Sequence, residues 1–181
     1  VERSRGLGDV YKRQAFHMCN RFHAEYHVFD IITDLLSNGR SSRFIQTLVQ
    51  EKKLFTSIDA YISGSLDEGL LHITGKPASG ITLEQAEEAV WQELDKLKTI
   101  PVAEEELEKV KNRYESEQIF NNINYLNVAT NLAFFELLGH AEDINLEVGK
   151  YRSVTVGQIQ DTACRTFIPE NCNILYYKAI K

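Results

Sequence analysis

Apolar residues in this chain change spacing along its length, and each change marks an element. Val28, Ile31, Ile32, Leu35 and Leu36 fall at i, i+3, i+4, i+7 and i+8, the single stripe of an amphipathic helix. Asn38-Gly39 supplies the left-handed residue that ends such a helix, and Ser41 or Ser42 can cap the next. Phe44, Ile45, Leu48 and Val49 make that second stripe. The period then drops to two. Ile58, Ala60 and Ile62 alternate with Ser57, Asp59, Tyr61 and Ser63; after a turn at Leu66-Asp67-Glu68-Gly69, Leu71 and Ile73 alternate with Leu70, His72 and Thr74. This is a β-hairpin, closed off by Gly75 to Gly80.

Helical spacing returns at Thr82-Leu83-Glu84-Gln85, a capping box, and continues through Ala86, Val90, Leu94 and Leu97. Pro101 separates this helix from one that opens on Glu104-Glu105-Glu106, carboxylates suited to the positive end of the helix dipole, with Leu107, Val110 and Tyr114 on one face. An asparagine-rich pause from Asn121 to Asn127 precedes a stripe of Leu126, Ala129, Ala133 and Leu137, ended by Gly139. Thr155-Val156-Gly157-Gln158 is a second capping box, for a helix carrying Ile159 and Ala163 and stopped by Phe167-Ile168-Pro169. Asn173 to Ile180 reads as a last strand, and Ala15, Phe16, Met18 and Cys19 as a short first one. The whole predicts an α+β fold, a two-layer sandwich of a mainly antiparallel sheet with helices on one face. Trp91, Tyr125, Phe134 and Phe135 lie off the main stripes; surplus apolar area of this kind predicts an interface.

The first fourteen residues follow neither period. They hold Arg3, Arg5, Lys12 and Arg13, the only basic cluster, and read as a linker or foreign arm outside the fold, so the domain is expected to run from Ala15 to Lys181. Elsewhere acid dominates: the net charge of −6 excludes a surface built for nucleic acid or anionic lipid. No apolar run approaches the eighteen or so residues of a membrane span, which suits a soluble protein of the cytoplasm or bacterial periplasm. Cys19, Cys164 and Cys172 are too scattered for a zinc ribbon or a redox pair and read as small thiols.

One cluster invites a metal assignment. His23 and His27 are four residues apart, the spacing that puts two histidines on one helix face. The acid between them is misplaced. The order is H-x-E-x-H, so Glu25 points about 200° away from His23 and cannot act as its base. Solvated or capping histidines are the expectation, and His17, His72 and His140 are isolated. No G-x-S-x-G elbow or phosphate-binding glycine loop is present. Asn38 to Ser42 reads as a helix–turn–helix corner rather than an anion cradle.

The order of parts from Phe29 to Phe55, D-x-x-x-x-L-L-S-N-G-x-S-S-R-hydrophobic, resembles the pitrilysin-type zinc metallopeptidases, or inverzincins, and more narrowly their second, metal-free half. The resemblance covers about Ala15 to Lys181. It implies a zinc-bearing N-terminal half carrying H-x-x-E-H, a motif absent from this sequence, with zinc bound there and not here. It implies as partners that half, a second family subunit and unfolded peptides, and it makes this chain inactive alone. Many family members carry L-R-x-x-x-x-L-G-Y in this half, whose arginine and tyrosine hold the substrate carbonyl beside the zinc. That frame falls on Leu48 to Thr56, with Val49 at the arginine position and Thr56 at the tyrosine position; neither supplies the same hydrogen bonds. No catalytic residue is therefore assigned to this chain. The family also includes metal-free core subunits of respiratory complexes, so a structural or assembly role is the alternative.

Overall fold

In the computed structural model, residues 11–64 and 66–177 are described. A four-stranded antiparallel sheet, ordered β2-β3-β1-β4, is built from β1 (Tyr11–Met18), β2 (Phe55–Ile62), β3 (Gly69–Pro77) and β4 (Cys172–Tyr177). Its inner face packs on α1 (Tyr26–Ser37), α2 (Leu83–Thr99) and α6 (Val156–Thr166), with α3 (Glu104–Asn121) behind α1. The opposite face, with Arg13, His17 and Tyr61, is exposed and carries no helix among the described residues. The α+β two-layer architecture is therefore as the spacing predicted.

The α1 stripe is wholly buried, as are Leu83, Ala86, Val90, Leu94 and Leu97 of α2. Both capping boxes form: Thr82 with Gln85, and Thr155 with Gln158. Phe16 of β1 sits at the centre, edge-on to Phe167 at 5.1 Å and to Trp91 at 5.7 Å. Gly75 is inward-facing on β3, where an added Cβ would lie 2.5 Å from the Phe55 ring. The Ser37 hydroxyl, at the end of α1, donates to the Ala60 carbonyl (3.1 Å) and accepts from the Ala60 amide (2.9 Å). It thereby satisfies backbone groups on the outer edge of β2.

Four expectations change. The first strand starts at Tyr11, not Ala15, because Tyr11 to Gln14 hydrogen-bond with both β3 and β4; Val1 to Val10 of the expected arm lie outside the described residues. Alternation turns Lys12 and Gln14 inward beside Phe16 and Met18. Lys12 is only 2 % exposed, and neither its Nζ nor the Gln14 Oε1 finds a hydrogen-bond partner among the described residues. Burial pulls the Lys12 ammonium down to about 8 against the opposing pull of Glu87.

The second helix is a π-helix, Ile45–Glu51, in which Thr47 accepts from the amide of Lys52, five residues on. Ser42 stands at its approach, but its hydroxyl donates back to Gly39 (φ +93°) instead of capping. The helix α4 (Tyr125–Leu138) turns the predicted stripe outward: Leu126, Ala129, Ala133 and Leu137 are exposed, while Val128, Asn131, Phe135 and Leu138 face the domain. A further helix, α5 (Ile144–Arg152), escaped the sequence reading because its apolar stripe is short. The last strand ends at Tyr177 among the described residues; Lys178 to Ile180 of the predicted strand lie outside them.

Candidate functional site

The densest polar cluster lies where the loop before α1 meets α5. His23 is outside the helix, exposed, its Nδ1 accepting from the Glu25 amide at 3.2 Å. This is a local turn contact at the solvated surface, and among the described residues no side chain caps α1. His27, by contrast, is buried in the first turn of α1, and its Nε2 lies 3.1 Å from Glu147 Oε1 of α5. Arg21 pairs with the same carboxylate and lies over the Tyr26 ring at 4.3 Å; Lys150 reaches the other oxygen at 3.4 Å. Burial alone would raise the Glu147 carboxyl, but the hydrogen bonds from His27 and Arg21 prevail and hold it at about 2. Beside this cluster the Tyr151 hydroxyl donates to Asp30, and the Tyr151 ring stacks on Tyr114. Burial raises the pKa of Asp30 and of both tyrosines.

These groups satisfy one another, so the arrangement is a staple between the loop, α1 and α5. With Arg21, Lys150 and the His27 ring already on it, this carboxylate is engaged in holding the elements together and is not aimed at a substrate proton. Among the described residues no group of three or more His, Cys, Asp or Glu is placed to hold a metal ion. His23 and His27 do border one cleft of about 430 Å³, together with Arg21, Lys150, and Phe135 and Leu138 of α4. Glu147 was invisible in the sequence, since it lies 120 residues from His27. His17 and His140 are exposed, and His72 stacks on Tyr61 at 4.9 Å on the open sheet face.

The family frame lies apart from the staple. Val49, in the π-helix, is half-buried against the core, and Thr56 is exposed on β2, its hydroxyl donating to the Lys76 carbonyl at 3.1 Å. Between them Lys53 takes a left-handed conformation, φ +51°. A third region is apolar. From the end of α3 through α4, Ile119, Phe120, Ile123, Tyr125, Leu126 and Leu137 all project outward, Tyr125 being 91 % exposed. Tyr125 and Phe134 thus meet the expectation of surplus apolar surface, whereas Trp91 and Phe135 pack inward.

The profile of a family described as the peptidase M16 inactive domain matches residues 13–114, more than half of the chain. No curated protein matches the chain in sequence. A protease from Helicobacter pylori superposes with a TM-score of 0.89 at 19 % identity, over 96 % of this chain and 42 % of that one. The inactive peptidase domain of a protein described as a zinc protease, from Bordetella parapertussis, gives 0.86 at 18 %, over 96 % of this chain and 94 % of that one. A chain of complex III2 from Candida albicans gives 0.80 at 17 %, over 97 % and 44 %. At these identities the likeness is one of fold, and this chain spans less than half of the H. pylori and C. albicans chains. The sequence match carries more: the chain belongs to the peptidase M16 inactive-domain family.

Proposed function

We propose that this chain is the non-catalytic half of a zinc-dependent endopeptidase, closing over a zinc-bearing half to enclose a peptide-degrading chamber. What carries the reading is the inactive-domain match over residues 13–114 in a chain that has no H-x-x-E-H. Zinc and the general base would come from the other half. This half would supply walls, with the π-helix and the start of β2, where Val49 and Thr56 lie, turned toward the substrate. Because Val49 has no donor and the Thr56 hydroxyl is spent on the Lys76 carbonyl, peptide would be held here by shape and apolar contact.

The test is turnover of a quenched unstructured peptide. The chain alone with zinc should give background rates, and the chain with its zinc-bearing half should give chelator-sensitive cleavage. Chelator-sensitive cleavage by the chain alone, abolished by His23→Ala or His27→Ala, would refute the proposal. A second reading, a structural or assembly subunit, is favoured by the missing arginine–tyrosine pair and by the fold shared with a chain of complex III2. A companion half with a decayed H-x-x-E-H and no cleavage in the intact protein would support it.

A further inference from the structure

We infer that the cleft bordered by α4, α5 and the loop before α1 is a binding site for a small apolar carboxylate, a molecule with an aliphatic tail and one anionic head. Its volume, about 430 Å³, is that of a small-molecule pocket. The walls divide in two. Val28 of α1, Phe135 and Leu138 of α4 and Val154 ahead of α6 form an apolar side, while Arg21, His23 and Lys150 stand on the polar side. Phe135 is the one buried residue of α4 among those described, yet it lies outside the main core cluster. Its ring borders the cleft rather than the core, so an aliphatic tail laid along it and Val28 would remove apolar surface from water.

Charge selects the head group. Arg21 and the His27 ring already engage Glu147 Oε1, so that carboxylate is balanced without Lys150. Lys150 meets Oε2 only at 3.4 Å, near the long limit of a hydrogen bond, and its side chain is 45 % exposed; ammonium protons remain for a ligand. On the rim, His23 Nδ1 accepts from the Glu25 amide, so the neutral ring carries its proton on Nε2, a second donor. The other acid of the lining, Asp143, is the N-cap of α5, where the helix dipole offsets its charge. The cleft thus offers one surplus cation and one neutral donor beside an apolar wall. A carboxylate suits that arrangement and an amine does not. The inference does not depend on the peptidase reading.

Octanoate is the probe, titrated into the full chain by isothermal calorimetry, with octanol and octylamine as the matched neutral and cationic chains. Saturable one-to-one binding of octanoate is expected, with a Kd on the order of 0.1 mM, and binding of the other two at least tenfold weaker. Lys150→Gln should weaken octanoate about tenfold, the worth of one charge-assisted hydrogen bond, while Lys109→Gln, a cation on α3 away from the cleft, should change nothing. Ala24→Trp, at an exposed position on the rim, should block the cleft and abolish binding, with the circular dichroism and thermal midpoint of the parent retained. Absence of saturable octanoate binding overturns the inference. So does octanol or octylamine binding as tightly as octanoate, or octanoate binding that Lys150→Gln or Ala24→Trp leaves unchanged.

Discussion

Helices α1 and α4 are written in nearly the same alphabet and end in opposite situations. Val28, Ile31, Ile32, Leu35 and Leu36 are all but inaccessible, packed between the sheet and α3, whereas the best stripe of α4 points to water. The difference lies in the rest of each helix. In α1 the side away from the stripe carries Asp30, Asp34 and Asn38, which bind Tyr151, Arg113 and one another, so only one side can go inward. In α4 both sides are apolar, and contact with α5 selected the side with Phe135. Periodicity gives the width and spacing of a stripe; it gives the direction only when the opposite side is polar.

The largest effect that could break this contrast comes from matched truncations. Leu36→Ala should cost about 3 kcal/mol, the usual loss on emptying a core site, and Leu137→Ala should stay within about 0.5 kcal/mol in urea unfolding of dilute protein. Equal losses would show that the outer stripe is already covered in the monomer. Next comes the staple that holds α1 to α5 while α4 is left free. The Glu147 carboxyl is held at about 2 against an ordinary 4.5. A carboxyl depressed on folding contributes stability that is complete above its unfolded pKa and lost as pH falls through the folded one. Unfolding free energy should therefore drop by about 3 kcal/mol between roughly pH 5 and pH 2, and Glu147→Gln should remove most of that slope.

The same contrast of well-matched and ill-matched positions recurs within β1. Phe16 and Met18 suit the inner face, and Lys12 does not. Lys12→Met should raise stability at neutral pH by about 2 kcal/mol, since it replaces a buried ammonium that has no hydrogen-bond partner among the described residues. In the parent chain the depressed amine makes stability rise with pH, from its folded value of about 8 up to the ordinary 10.5, because only the unfolded chain holds the proton across that window. A Lys12→Met chain no more stable than the parent would mean that the ammonium is solvated. Smallest is Lys53→Gly, which relieves a left-handed lysine after the π-helix; a gain of up to about 1 kcal/mol in thermal unfolding is expected.

What could be read from sequence divides along physical lines. Strand alternation, both capping boxes and the α1 stripe are local patterns, and each forms as written. The start of β1 was missed because Lys12 and Gln14 look like linker chemistry; their strand identity comes from neighbours far along the chain. The π-helix differs from an α-helix by one residue per hydrogen bond, too little to disturb the stripe of Phe44 and Leu48. In the polar cluster the spacing of His23 and His27 was plain, but their separation into one surface and one buried ring depends on Glu147 and Arg21. The family position followed from the corner at Asn38 to Arg43, where Arg43 is tied to Glu106 by two hydrogen bonds of 2.9 and 2.8 Å.

The hydroxyl of Ser37 has a bearing on how this domain can aggregate. An edge strand with free amides and carbonyls is a template for another chain's strand, and repetition of that step produces fibres. Toward the C-terminal end of β2 the template is interrupted, because the amide and carbonyl of Ala60 are both occupied by one side chain from α1. A strand arriving there would have to expel a hydrogen-bonded serine before forming its first pair. Strand addition along β2 is thus obstructed at Ala60, which leaves contact between side chains as the easier route on that side.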